Sequence, residues 1–80
     1  MTLVARRAFG SIVAQHHESL GSGYIFAGDV CIHRIADRQH AARLRQFWWA
    51  QRAPAQEAIL EALGWLQEQM AASGTARARP

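Results

Sequence analysis

Hydrophobic positions along this chain change period near its middle. Between residues 37 and 72 they recur every three to four positions, as on one face of a helix, whereas upstream they come in short runs broken by glycine. Asp37 stands where a helix N-cap is expected, after the apolar pair Ile35-Ala36. Pro54 disfavours helix at Ala53 and suits the first turn of a helix that follows it. The spacing therefore predicts a helical hairpin over 37–52 and 54–72. On a wheel centred on Leu44, the side chains of His40, Ala41, Phe47, Trp48 and Gln51 share one face, which sends Trp48 to the core. Ile59, Leu60, Leu63, Leu66 and Met70 form the stripe of the second helix. A connection this short makes the two helices antiparallel neighbours. Burying these side chains, at roughly 1.5 to 3 kcal/mol each, is the main expected source of stability.

The runs Tyr24-Ile25-Phe26-Ala27 and Val30-Cys31-Ile32-His33 are β-prone and flank Gly28-Asp29, a two-residue turn with glycine first. Residues 24–33 are accordingly predicted as a β-hairpin. Its pairing places Ile25, Ala27, Val30 and Ile32 on one face and Tyr24, Phe26, Cys31 and His33 on the other. The rival, a helix running back from Asp37 to Asp29, carries Ile32 and Ile35 away from the Leu44 stripe. A lone hairpin needs a third strand or a helix beneath it. Residues 11–17 supply such a strand, with 18–23 as a loop, yet Ala5, Ala8, Phe9, Ile12, Val13, His16 and Leu20 also make a helical face weakened by Gly10. The fold expected is α+β, with three antiparallel strands packed on the helical hairpin in one small domain over 1–72. Residues 73–80 are read as a flexible C-terminal tail. The alternative is an all-α three-helix bundle.

Composition narrows the setting. At 80 residues a chain buries only about 60% of the surface its unfolded form exposes, so self-association as a homodimer, or as a subunit of a larger assembly, is a natural supplement to the core. A single Cys31 gives no disulfide framework, and no apolar run is long enough to span a bilayer. The start of the chain lacks the apolar stretch of a secretion signal. A cytoplasmic protein with no membrane partner is expected. The formal charge of +3 rests on arginine alone, since there is no lysine. Abundant Ala, Arg and Gly follow from GC-rich coding, so net charge by itself is weak evidence for a nucleic-acid partner.

The distribution of charge and aromatic rings says more. Segment 37–52 holds four arginines and one aspartate, a net of +3, and segment 54–72 holds three glutamates and no base, a net of −3. Neighbours on a helix diverge by about 100°, so one stripe cannot hold both Trp48 and Trp49. Trp49 falls on a basic flank with Arg38, Arg45 and Arg52. Trp65 falls opposite the Leu63 stripe, between Glu61 and Glu68. In an antiparallel hairpin these arginines and Glu57, Glu61 and Glu68 lie along one seam edge, where exposed ion pairs add little net energy. Trp and Arg are also the residues enriched at binding hot spots. The candidate partner-binding residues are therefore Trp49, Trp65, Arg38, Arg45 and Arg52, with burial against the sheet as the structural alternative for the two rings.

No catalytic, cofactor or metal constellation emerges. Cys31 and His33 share a predicted strand face, but His16, His17 and His40 are scattered and no paired-cysteine spacing of a zinc site occurs. A Cys-His nucleophile needs an orienting group and an enclosed cleft. The glycines at 21, 23 and 28 are accounted for by turns. The expectation is a non-enzymatic interaction module that sterically blocks a bacterial protein or nucleoprotein complex. Small chains without catalytic residues are typical of phage and mobile-element inhibitors, anti-CRISPR proteins among them. The alternative is a small arginine-rich nucleic-acid-binding transcriptional regulator, with Arg38, Arg43, Arg45 and Arg52 on phosphates and Trp49 on a base. Use of the second helix in a DNA groove is opposed by its glutamates.

Overall fold

Glycine sets both tight turns of the sheet. In the computed structural model, which describes the backbone of residues 3–18 and 22–78 and their side chains as far as Ala72, β1 (Leu3–Phe9) and β2 (Ile12–His17) join through Gly10-Ser11. The strands β3 (Gly23–Ala27) and β4 (Val30–Ile35) join through Gly28-Asp29. Gly10 and Gly28 have φ of 60° and 63°, the left-handed conformation that the first residue of such a hairpin turn requires. The four strands form one antiparallel sheet in the order β1-β2-β3-β4. Helices α1 (Arg38–Trp49) and α2 (Gln56–Ala78) follow, so the fold is α+β and not a helical bundle. The ambiguous N-terminal stretch supplies two strands, where only the one over 11–17 was expected. Residues 19–21 of the expected 18–23 loop lie outside the described residues.

Register decides which side chains meet the helices. Ile12, Ala14 and His16 of β2 alternate with half-buried Val13, Gln15 and His17, and Ile25 of β3 pairs into the buried set. Each edge strand carries one extra residue. Val4 of β1 lies between the pairs Leu3–His17 and Ala5–His16, and Ile32 of β4 lies between Phe26–Cys31 and Ile25–His33. These are β-bulges, and beyond each the alternation is reversed. The predicted sharing of one strand face by Cys31 and His33 is thereby corrected: Cys31 is exposed on the outer face, while His33 pairs with Ile25 on the helix side. Ile32 still reaches the edge of the core.

The core joins Phe9, Ile12, Ala14, Ile25 and Ile35 of the sheet to Ile59, Ala62, Leu63, Leu66 and Met70 of α2, with Ala41 from α1. All members of the predicted α2 stripe are buried except Leu60, which is half-buried. α2 packs on β2 and β1 and touches β3, whereas α1 packs chiefly on α2 and meets the sheet only at β4. Gly23 lies directly under α2: a Cβ there would stand 2.8 Å from Leu66 Cδ2 and 2.9 Å from Met70 Cε. The glycine serves close packing within a strand and is not a turn residue.

The helix ends differ from the expected ones for local reasons. Asp37 is the N-cap of α1, its Oδ1 accepting from the His40 N–H at 2.7 Å, while His40 Nδ1 accepts from the Ala36 N–H at 3.2 Å. α1 stops at Trp49, three residues short of Arg52. There the Gln56 side-chain amide donates to the carbonyls of Trp48, at 2.7 Å, and Trp49, at 3.4 Å, taking up acceptors that a further turn would have used. Pro54-Ala55 forms a turn with φ of 63° at Ala55, so α2 begins at Gln56. It continues past Ala72 to Ala78, the helix-forming alanines and arginine outweighing Gly74.

Two glycine-to-alanine substitutions should separate the close approach from ordinary helix propensity. Gly23→Ala forces Leu66 and Met70 to shift and should destabilise the fold by about 1 to 3 kcal/mol. Gly64→Ala, whose Cβ would meet the Arg45 guanidinium at an ordinary contact distance of 3.7 Å, should stabilise by up to about 1 kcal/mol. Denaturant midpoints measure both.

Candidate functional site

The buried arc of α1 is not centred on Leu44. Its inward side chains are Ala41, Leu44 and Trp48, a set whose mean direction lies about 35° from Leu44 toward Arg45. This rotation has two consequences. Phe47, expected in the core, is swung out to 53% exposure. Arg45 is brought near the seam, where its guanidinium lies across α2 beside Gly64 and its Nη1 donates to Gln67 Oε1 at 3.0 Å.

Trp49 is 78% exposed. With Ala42, Arg45, Gln46, Leu60 and Gln67 it lines a groove of about 390 Å³ between the helices. A second hollow of about 370 Å³ shares Arg45 and Leu60 with the first and is completed by Arg7, Phe9, Glu61, Gly64, Trp65 and Glu68. The two hollows adjoin along α2 and together form a furrow from Trp49 to Trp65 that the Arg45 side chain crosses. Its walls mix an exposed indole, apolar side chains and both signs of charge.

Trp65 does not stand clear of the molecule. It is half-buried and packs edge-on against Phe9, with ring centroids 6.1 Å apart. α2 must cover the sheet on one flank and α1 on the other, so its contact arc is wider than that of a simple hairpin and reaches round to Trp65. Arg7 lies over the other ring of this pair, 5.2 Å from the Phe9 centroid, a cation–π geometry. Of the five predicted partner-binding residues, the furrow gathers Trp49, Arg45 and Trp65. Arg38, in the first turn of α1, and Arg52, in the unwound connection, are exposed and line neither hollow. The expected ion-pair edge does not form either, because Arg45 bonds Gln67 and neither Arg38 nor Arg52 reaches Glu57, Glu61 or Glu68. Phe47, Leu60 and Arg7 are surface features that the sequence reading missed. The wheel that leaves Phe47 outside is centred between Ala41 and Trp48, a centre set by the approach of α2.

One polar contact moors α1 to the sheet. Trp48 Nε1 donates to His33 Nε2 at 3.0 Å, with the two rings nearly perpendicular. Accepting at Nε2 requires neutral imidazole. Burial, and then the nearby His40, hold the His33 pKa below its ordinary value of 6.5, consistent with that form. The bulge at Ile32 is what turns His33 toward Trp48.

Among the described residues no group of three or more His, Cys, Asp or Glu side chains converges as a metal site, and no helix is long and apolar enough to cross a membrane. Comparison with protein-family models, curated proteins and solved structures finds no match.

The His33 contact predicts a pH dependence with a defined sign. Its folded-state pKa is lowered, so the unfolded chain binds the proton more readily, and the stability it contributes is full above pH 6.5 and lost as pH falls through the folded value. The stability of the wild type relative to His33→Gln, which keeps an acceptor but no titrating ring, should fall over that window. Denaturation curves between pH 8 and pH 5 provide the measurement, and parallel pH profiles would refute the assignment.

Proposed function

We propose that this protein is a non-enzymatic interaction module whose docking surface is the furrow between α1 and α2. The observation that carries the reading is Trp49, 78% exposed beside a groove it shares with Arg45. Leaving a large apolar ring in water opposes the drive to bury apolar surface, and such rings with neighbouring arginine are the usual anchors of protein interfaces. The mixed charges of Arg7, Arg45, Glu61 and Glu68 suit a protein surface that presents both signs. The partner is a bacterial protein or nucleoprotein complex in the cytoplasm, and binding acts sterically by covering a surface that the partner needs. Phage and mobile-element inhibitors of host machines, anti-CRISPR proteins among them, are the kind of protein this describes.

The competing reading, a nucleic-acid-binding transcriptional regulator with Arg38, Arg43, Arg45 and Arg52 on phosphates and Trp49 on a base, is disfavoured because Arg45 is bonded to Gln67 and shares its hollow with Glu61 and Glu68, which repel phosphate.

Trp65 packs on Phe9, so its removal would disturb the fold, and the informative variants are Trp49→Ala and Arg45→Ala. Affinity capture from a bacterial lysate should recover a partner with the wild type. Once that partner is purified, Trp49→Ala should weaken binding about 30-fold or more, the loss expected of a central anchor, with an unchanged circular dichroism spectrum. Equal affinity for wild type and both variants would remove the furrow from the mechanism. A steep loss of binding with salt would point to a nucleic-acid partner instead.

A further inference from the structure

The side of the sheet turned away from the helices is a second surface of different character. Across it runs the cross-strand row Arg6, Gln15, Tyr24 and Arg34, and beside that row lies Phe26. No helix covers this face, since α2 and α1 both pack on the side of Ile12, Ala14 and Ile25. Tyr24 and Phe26 are half-buried only by their strand neighbours, their centroids 6.5 Å apart and their planes inclined by 34°. His17 stands perpendicular to Tyr24 at 5.1 Å and is tied to Gln15 at 3.0 Å, which props the tyrosine ring. The four strands contain no aspartate or glutamate. The acidic stripe of α2 is on the opposite side of the molecule.

We infer that this face binds single-stranded nucleic acid. Two aromatic rings set between two guanidiniums, with no carboxylate on the strands, match a ligand that alternates flat bases with phosphates. Bases stack on Tyr24 and Phe26, and Arg6 and Arg34, at opposite edges of the sheet, hold phosphates on either side. The ring spacing selects against a duplex. Stacked bases rise by about 3.4 Å per step, roughly half the separation of the two rings, so a strand occupying both must be unstacked. A four-stranded sheet is also too broad for a duplex major groove, which admits a helix or a two-stranded ribbon. The groups that make contact address base faces and phosphates and leave the sugar unread. This surface is independent of the furrow between the helices, and either assignment can stand without the other.

The test is fluorescence anisotropy with labelled oligothymidylate and oligouridylate about 12 nucleotides long, within the span of single-strand binding sites, titrated with the full chain. Both oligonucleotides should bind with similar affinity, and a duplex of the same length more weakly. Tyr24→Leu and Phe26→Leu, which keep apolar cover on the strand, should each weaken binding on the order of tenfold. The slope of log affinity against log salt should be about −1.4 for two phosphates, and Arg6→Gln or Arg34→Gln should each reduce its magnitude by about 0.7. Trp49→Ala should bind the oligonucleotides as the wild type does. Absence of binding, tighter binding of the duplex, or loss through Trp49→Ala with the sheet variants unaffected would overturn the inference. So would a solution mass showing a dimer that Phe26→Leu dissociates, since the face would then be occupied by a second copy.

Discussion

The structure depends on one helix covering most of one sheet face. α2 lies over β1, β2 and β3 closely enough that a Cβ at position 23 would displace the ends of the Leu66 and Met70 side chains. An antiparallel sheet of this size can leave its other face to solvent, provided the first is buried. Here that burial is supplied by Ile59, Ala62, Leu63, Leu66 and Met70 against Ile12, Ala14 and Ile25. Everything else is placed by what α2 leaves uncovered. α1 finds room only at the β4 side, leans on α2, and is held to the sheet by Trp48 and His33. The furrow follows from that offset, since two helices sharing one layer unequally leave a trough where the lesser one ends.

Charge is sorted by element. The strands hold arginine and histidine without a carboxylate, α1 carries arginines after its Asp37 cap, and α2 up to Ala72 carries only glutamates. The furrow is where the sorted elements meet, and it is the mixed-sign surface of the molecule. The open sheet face retains the sign of the strands alone. Two surfaces of opposite chemical logic on one small domain would suit a protein that meets a nucleoprotein assembly, one side toward protein and the other toward nucleic acid.

Much of this architecture was legible in the sequence, and the misreadings share a cause. Asp37 and Gly28-Asp29 were read correctly because caps and tight turns are set by local backbone chemistry. Gly10-Ser11 obeys the same glycine-first rule, but the apolar residues around it also fit a helical period, and the helical reading obscured the turn. The exposure of Trp49 was legible because Trp48 could not share its face. For Trp65 the alternative reading, burial against the sheet, is the one that holds in part, since α2 has both a helix and a sheet as neighbours and this ring packs on Phe9 of β1. The outward turn of Phe47 depends on the direction from which α2 approaches α1, which no local pattern encodes. The position of His33 hinged on a single unpaired residue, and strict alternation put it on the wrong side.

The bulges at Val4 and Ile32 fall on the two outermost strands. An outermost strand normally offers a straight ladder of unpaired amides and carbonyls on which a foreign strand can grow. Here each ladder is interrupted and locally overtwisted, so a neighbour arriving in register would lose its match after a few residues. The sheet is thereby guarded against lengthening into fibrils, and assembly of this molecule with anything else is steered to its broad surfaces and away from its rims.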